Sequence, residues 1–278
     1  MTLRGIDSSR WQAGLPDATI NADFIIFKAT EGVGYTDPDC NPSYQEAKAA
    51  GKLLGVYHFA RPDGNDPISE ADWFLSQTKG YIGEALLALD WETEPKSNVA
   101  WAKSWLDRVY SKTGIRPLIY MSSSVVNSYD WSSVYNAGYA LWVAQYRDNN
   151  IDINYDMSNA GAMPDVNWVN GYAMWQWTSK GRLTGYSGDL DCNIFYGDKA
   201  AWTAFATGHP ATKPAPVTAP IAPTPVVVPP VVAPAPKPVV EPVSTPQDSP
   251  LDKENNSLLK QILALLQSLV TKVTNIFK

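Results

Sequence analysis

Two carboxylates, Asp90 and Glu92, close an apolar run, Leu86-Leu-Ala-Leu, and are separated by a single residue. In a β-strand residues i and i+2 share a face, so the two acids would project together. At the C-terminal end of a buried barrel strand they would stand in the mouth where such folds keep their chemistry. Carboxylates crowded into a partly desolvated mouth resist simultaneous ionisation, and one of them keeps its proton. Glycoside hydrolysis uses that division: a neutral acid protonates the leaving oxygen, while a charged carboxylate stabilises the oxocarbenium-like centre, attacks it, or orients an attacking group. Glu92, with the longer reach, is the predicted proton donor, and Asp90 the predicted ionised partner. Acids that merely end a strand and meet water are the ordinary alternative for such a pair; the preceding apolar run, which demands burial, argues against it.

Other chemistries find little support. No G-x-S-x-G elbow or Walker loop occurs. His58 and His209 form no H-E-x-x-H motif, and Cys40 and Cys192 have no zinc-like spacing, so neither a metal, a cofactor nor a disulfide framework is expected. The net charge of −6 and pI near 5.0 argue against non-specific affinity for nucleic acid and are compatible with a sugar polymer.

The 278 residues, 45% of them hydrophobic, suffice for one large core and something smaller attached. Eight strand-like runs are legible: Leu3 to Ser8, Phe24 to Thr30, Leu53 to Ala60, Ala85 to Glu92, Pro117 to Met121, Ala140 to Tyr146, Tyr172 to Thr178 and Asp189 to Phe195. Helix-like segments run from Pro42 to Ala50, Ser69 to Lys79, Asn98 to Thr113 and Asp198 to Thr207, the third with Asn98 as N-cap and Gly114 behind it. This alternation predicts an α/β fold, a TIM-like β/α barrel over 1–208 with eight strands and fewer helices in its second half.

Fourteen of the 22 prolines lie between Pro210 and Pro250, which predicts an extended, disordered linker over 209–250. An SH3-type recognition peptide is the competing reading. In 251–278, Leu259, Ile262, Leu266, Leu269, Val273 and Ile276 alternate spacings of three and four, an amphipathic heptad seam. Such a helix needs a partner: self-association is predicted, with membrane or cell-envelope contact as the alternative. No run reaches the roughly 18 apolar residues of a spanning helix.

A set of motifs from about Arg4 to Phe195 resembles the family 25 glycoside hydrolases, lysozymes of the Chalaropsis and cellosyl type. They are Gly5-Ile-Asp-Ser-Ser-Arg-Trp-Gln12, Phe27-Lys-Ala-Thr-Glu-Gly32, Gly55-Val-Tyr-His-Phe59, Ala88-Leu-Asp-Trp-Glu92, Arg116-Pro-Leu-Ile-Tyr120, Leu141-Trp-Val-Ala-Gln-Tyr146, Trp175-Gln-Trp177 and Leu190-Asp-Cys-Asn-Ile-Phe195. The resemblance implies an incomplete β/α barrel and N-acetylmuramidase activity, hydrolysis of the β-1,4 bond between N-acetylmuramic acid and N-acetylglucosamine in bacterial peptidoglycan. It implies Glu92 as general acid and Asp90 as the stabilising or orienting carboxylate. Asp7 and Asp191 match further acids of the cleft, and Tyr57, Tyr120 and Trp175 match positions that shape the sugar site. Cys192 departs from the family pattern by standing where a hydrophobic residue is expected.

The chain also holds eleven Trp and fourteen Tyr. Trp73, Trp101 and Trp105 read as core, whereas Trp175 and Trp177, near a strand end, read as candidates for stacking on sugar rings.

Three rivals frame the expectation: a chitinase-like hydrolase, disfavoured by Ala88 two residues before Asp90; a non-catalytic glycan-binding barrel, disfavoured by the presence of both acids; and a helix-assembled structural protein, which leaves the acids unexplained. The opening Met1-Thr-Leu-Arg-Gly-Ile-Asp lacks a charged-then-apolar signal region. With a wall-degrading domain, that predicts synthesis in a host cytoplasm and action on the wall after holin-dependent release, or as a virion-borne lysin.

Overall fold

The computed structural model describes residues 2–208. The linker and heptad-helix expectations for 209–278 lie outside the described residues. Eight strands close into a barrel: β1 (Leu3–Ser8), β2 (Phe24–Glu31), β4 (Leu53–Phe59), β5 (Leu86–Asp90), β6 (Leu118–Ser122), β7 (Ala140–Ala144), β9 (Tyr172–Arg182) and β10 (Leu190–Phe195). Two short strands, β3 (Tyr35–Thr36) and β8 (Asp152–Ile153), pair with the edges of β2 and β9. Pairing of β1 with β2 closes the ring. All eight runs read from the sequence are barrel strands.

One direction differs from a simple βαβ repeat. β10 runs antiparallel to both β9 and β1. Only seven residues, 183–189, join β9 to β10, too few for the dozen or more that a parallel crossover needs. Helices α1 (Cys40–Ala49), α2 (Pro67–Gln77) and α3 (Val99–Thr113) fill the first crossovers. Two short helices, α4 (Ser123–Ser128) and α5 (Ser132–Tyr135), follow β6, and no α-helix lies between β1 and β2 or between β7 and β9. The capping expected for α3 is present: the Asn98 side chain accepts from the Trp101 N–H at 3.2 Å, and Gly114 adopts φ 73°, a left-handed conformation that favours glycine.

Strand alternation divides the core in two. Outward residues such as Ile25, Val56, Leu87, Leu89, Ile119 and Val143 pack against the helices. Inward residues, among them Leu3, Phe24, Ile26, Leu86, Ala88, Leu118, Met174 and Phe195, fill the barrel. Its lower end is closed by Trp202 of α6 (Lys199–Thr207), whose ring lies 4.5 Å from Phe24 and 5.2 Å from Phe195. Gly5 and Gly55 also belong to the inward layer; a Cβ on Gly5 would sit 2.3 Å from the Phe24 ring, so the barrel admits no side chain there. Cys40 and Cys192 are both buried free thiols.

Candidate active site

The inward-facing set of each strand changes character at the upper end. Leu3 and Gly5 lead to Asp7, Phe24 and Ile26 to Lys28, Leu53 and Gly55 to Tyr57, Leu86 and Ala88 to Asp90, and Leu118 to Tyr120. Because β10 is reversed, its upper end is its beginning, and Asp191 and Asn193 precede the inward Phe195. Apolar side chains thus plug the barrel below, and polar ones line a cleft of about 270 Å³ above.

Asp7, Tyr57, Asp90, Glu92, Tyr120 and Asp191 all line this cleft. Asp7 and Asp191 are direct cross-strand partners, and Asp90 pairs in register with Tyr120. Glu92 lies two residues past the end of β5 and stands exposed at the rim, whereas Asp90 is 7% exposed.

Trp175 does not join them, a correction to the sequence expectation, and the same holds for Trp177. On β9 Met174 and Gln176 face inward, so Trp175 and Trp177 face outward by the same alternation. Both are buried, and the Trp175 indole N–H donates to the Gln145 carbonyl at 2.9 Å. The cleft takes its indoles from Trp142, in register with Tyr120, and from Trp11, which is 77% exposed at the lip.

A hydrogen-bonded chain of neutral residues, missed in the sequence, supports the acids. Gln176 Nε2 and Asn193 Nδ2 both donate to Asp7 Oδ2, at 2.8 and 2.7 Å. Gln176 Oε1 accepts from the Tyr120 hydroxyl at 2.8 Å and from the Tyr146 hydroxyl. Asn193 Oδ1 accepts from the Trp142 indole at 2.8 Å. Amides between an acid and two phenols carry no charge signature in a sequence. The available signal was period-two spacing, since Asn193 shares the face of Asp191 and Gln176 that of Met174.

Desolvation dominates the electrostatics. It raises the Asp7 carboxyl to about 7, against the donors Asn193 and Gln176, which lower it; repulsion from Glu92 adds to the rise. Burial, followed by repulsion from Glu92 and Asp7, pushes Asp90 well above the ordinary carboxylate value. Asp191 is likewise raised well above it by burial and then by Asp7 and Glu92. Glu92 is raised by desolvation, offset by Lys96, Lys28 and Arg61. Burial and mutual repulsion thus raise all four carboxyls, with Lys96, Lys28 and Arg61 opposing the rise at Glu92, and the four titrate as a set. Asp90 Oδ1 is buried without a hydrogen-bond partner among the described residues.

Crowded carboxylates in a polar, aromatic cleft suit glycoside hydrolysis. The profile of the Glycosyl hydrolases family 25 matches residues 6–186, and the chain belongs to that family. It is 28% identical to lysozyme M1 of Streptomyces globisporus over 222 residues, 73% of this chain and 71% of that protein. It is 33% identical to the N,O-diacetylmuramidase of Chalaropsis sp over 142 residues, 44% of this chain and 67% of that one. The crystal structure of a bacterial lysozyme from Streptomyces coelicolor superposes with a TM-score of 0.63 at 28% identity, covering 74% of this chain and 97% of that one.

Proposed function

We propose that the cleft hydrolyses peptidoglycan as an N-acetylmuramidase, cutting the β-1,4 bond from N-acetylmuramic acid to N-acetylglucosamine. The observation that carries the reading is the pair at the end of β5: Asp90 enclosed and Glu92 at the rim of one cleft, with Asp7 and Asp191 crowding them. The names of the relatives, lysozyme and N,O-diacetylmuramidase, favour this glycan over chitin.

In this mechanism Glu92 is the general acid, since a glycosidic oxygen crossing the mouth reaches the rim before the floor. Asp90 stabilises positive charge at the anomeric carbon and orients the neighbouring N-acetyl group. Its unpartnered Oδ1 suits an amide N–H donor. Such a donor stabilises the charged form of Asp90, which favours keeping the shared proton on Glu92. Binding of the sugar thereby assembles the protonation state that cleavage needs.

Glu92→Gln tests the assignment. The carboxyl is exposed and has no hydrogen-bond partner among the described residues, so folding is expected to be unchanged. Release of new reducing ends is expected to fall by about 10² to 10⁴, the usual weight of a general acid. Wild-type turnover in that variant would remove Glu92 from the mechanism.

As the biological setting we propose wall breakdown during host-cell lysis. The division into a catalytic part (1–208), a proline-rich spacer (209–250) and a heptad-patterned tail (251–278) belongs to the same proposal, with the tail as a self-associating helix. Deletion from Pro250 onward is expected to lower the mass seen by light scattering. An unchanged mass with reduced sedimentation on cell walls would instead favour envelope contact, and no change in either would remove both roles.

A further inference from the structure

The cleft does not end at Trp11. A second groove of about 530 Å³ continues from it, sharing Trp11, Lys28 and Phe59 as common walls. Along this path the charge reverses. The cleft presents four carboxylates and one lysine, whereas the groove adds Arg10 and Arg61 against Glu31 and Asp37. Those two acids are already engaged. Glu31 is held by Lys28 at 2.6 Å and by Arg61 at 2.7 Å. Asp37, 3% exposed, accepts the backbone N–H groups of Arg10 and Asp39 at 3.2 and 3.1 Å. Of the groove's three cations, Arg10 alone has no ion-pair partner among the described residues, and its guanidinium lies 5.1 Å from the centre of the exposed Trp11 ring.

A neutral glycan alone has no use for such a cation. We infer that this groove takes a carboxylate of the short peptide carried by the muramic acid beside the scissile bond, with Arg10 as its ion-pair partner and Trp11 as the apolar wall. This inference rests on the peptidoglycan reading of the cleft. Arg10 lies outside the cleft lining and touches none of the reacting atoms, so its contribution is to binding of peptide-bearing strands.

The same chemistry has a second source, because amidase treatment, which strips the peptide, frees the lactyl carboxylate on the sugar. Kinetics on intact peptidoglycan and on amidase-stripped strands separate the two. Arg10→Gln is expected to lower kcat/KM on intact strands about three- to fivefold, through KM, the effect of one exposed ion pair. Arg10→Lys is expected to recover most of it, and added salt to close the gap between wild type and variant. On stripped strands the change stays within about twofold. A loss on stripped strands as large as on intact ones would show that Arg10 acts without the peptide, and no loss on intact strands would leave the groove without this ligand; either overturns the inference. Failure of the wild type to cut either strand would overturn the muramidase reading instead.

Discussion

Replacing Asp7 by Asn is expected to make the protein more stable while impairing it as an enzyme, and the gain should depend on pH. Asp7 is enclosed at the cleft floor, and burial raises its carboxyl from 3.8 to about 7. At about 1.4 kcal/mol per pH unit, that rise makes the ionised group cost the folded state about 4 kcal/mol, part of it repulsion shared with Glu92. The sign follows from proton counting. Between about pH 4 and pH 7 the folded state holds the proton and the unfolded chain does not, so wild-type stability falls as pH rises through that window and levels off above it. The asparagine variant lacks this slope. Its carbonyl can accept from both Gln176 and Asn193, because both donate to the same oxygen of Asp7. Urea denaturation near pH 4 should therefore find the two proteins alike, and near pH 8 should find the variant more stable by up to about 4 kcal/mol, roughly 8–16 °C in Tm for a domain of this size. Equal or lower stability of the variant near pH 8, with matching curves near pH 4, would refute the claim that Asp7 is a buried charge kept at the expense of stability.

Trp175→Phe removes the hydrogen bond to Gln145 and some outer-layer packing; a stability loss of about 1–3 kcal/mol is expected, with KM within about twofold of wild type, as unfolding and kinetic assays would show. Gln176→Leu breaks the links to Asp7, Tyr120 and Tyr146 together, so activity near neutral pH should fall by about tenfold or more and the pH–rate profile should shift. His58, fully buried, bonds the Thr30 hydroxyl at 2.7 Å and Glu70 at 2.8 Å; His58→Leu would leave Glu70 only the Arg61 backbone N–H and cost about 1–3 kcal/mol in a denaturation assay.

The barrel strands were legible because each apolar run ends at a turn or cap. The reversed β10 was not, since strand direction follows from the length of the 183–189 connection rather than from composition. Short α4 and α5, rich in serine and polar in their first turn, carry too little periodicity to register. At the site, the acids stood out as charges after apolar runs, while Gln176, Asn193, Trp142 and Tyr146 looked like ordinary strand residues. Trp175 misled for a related reason: its position near a strand end suggested the mouth, but the one-residue offset from Gln176 turns it to the helices.

Mass spectrometry of the fragments released from purified peptidoglycan tests the muramidase reading at the bond itself. Reduction with borohydride is expected to label N-acetylmuramic acid at the new ends, and the label to disappear with Glu92→Gln. Label on N-acetylglucosamine, or fragments generated by cutting the peptide with every glycan bond intact, would contradict it.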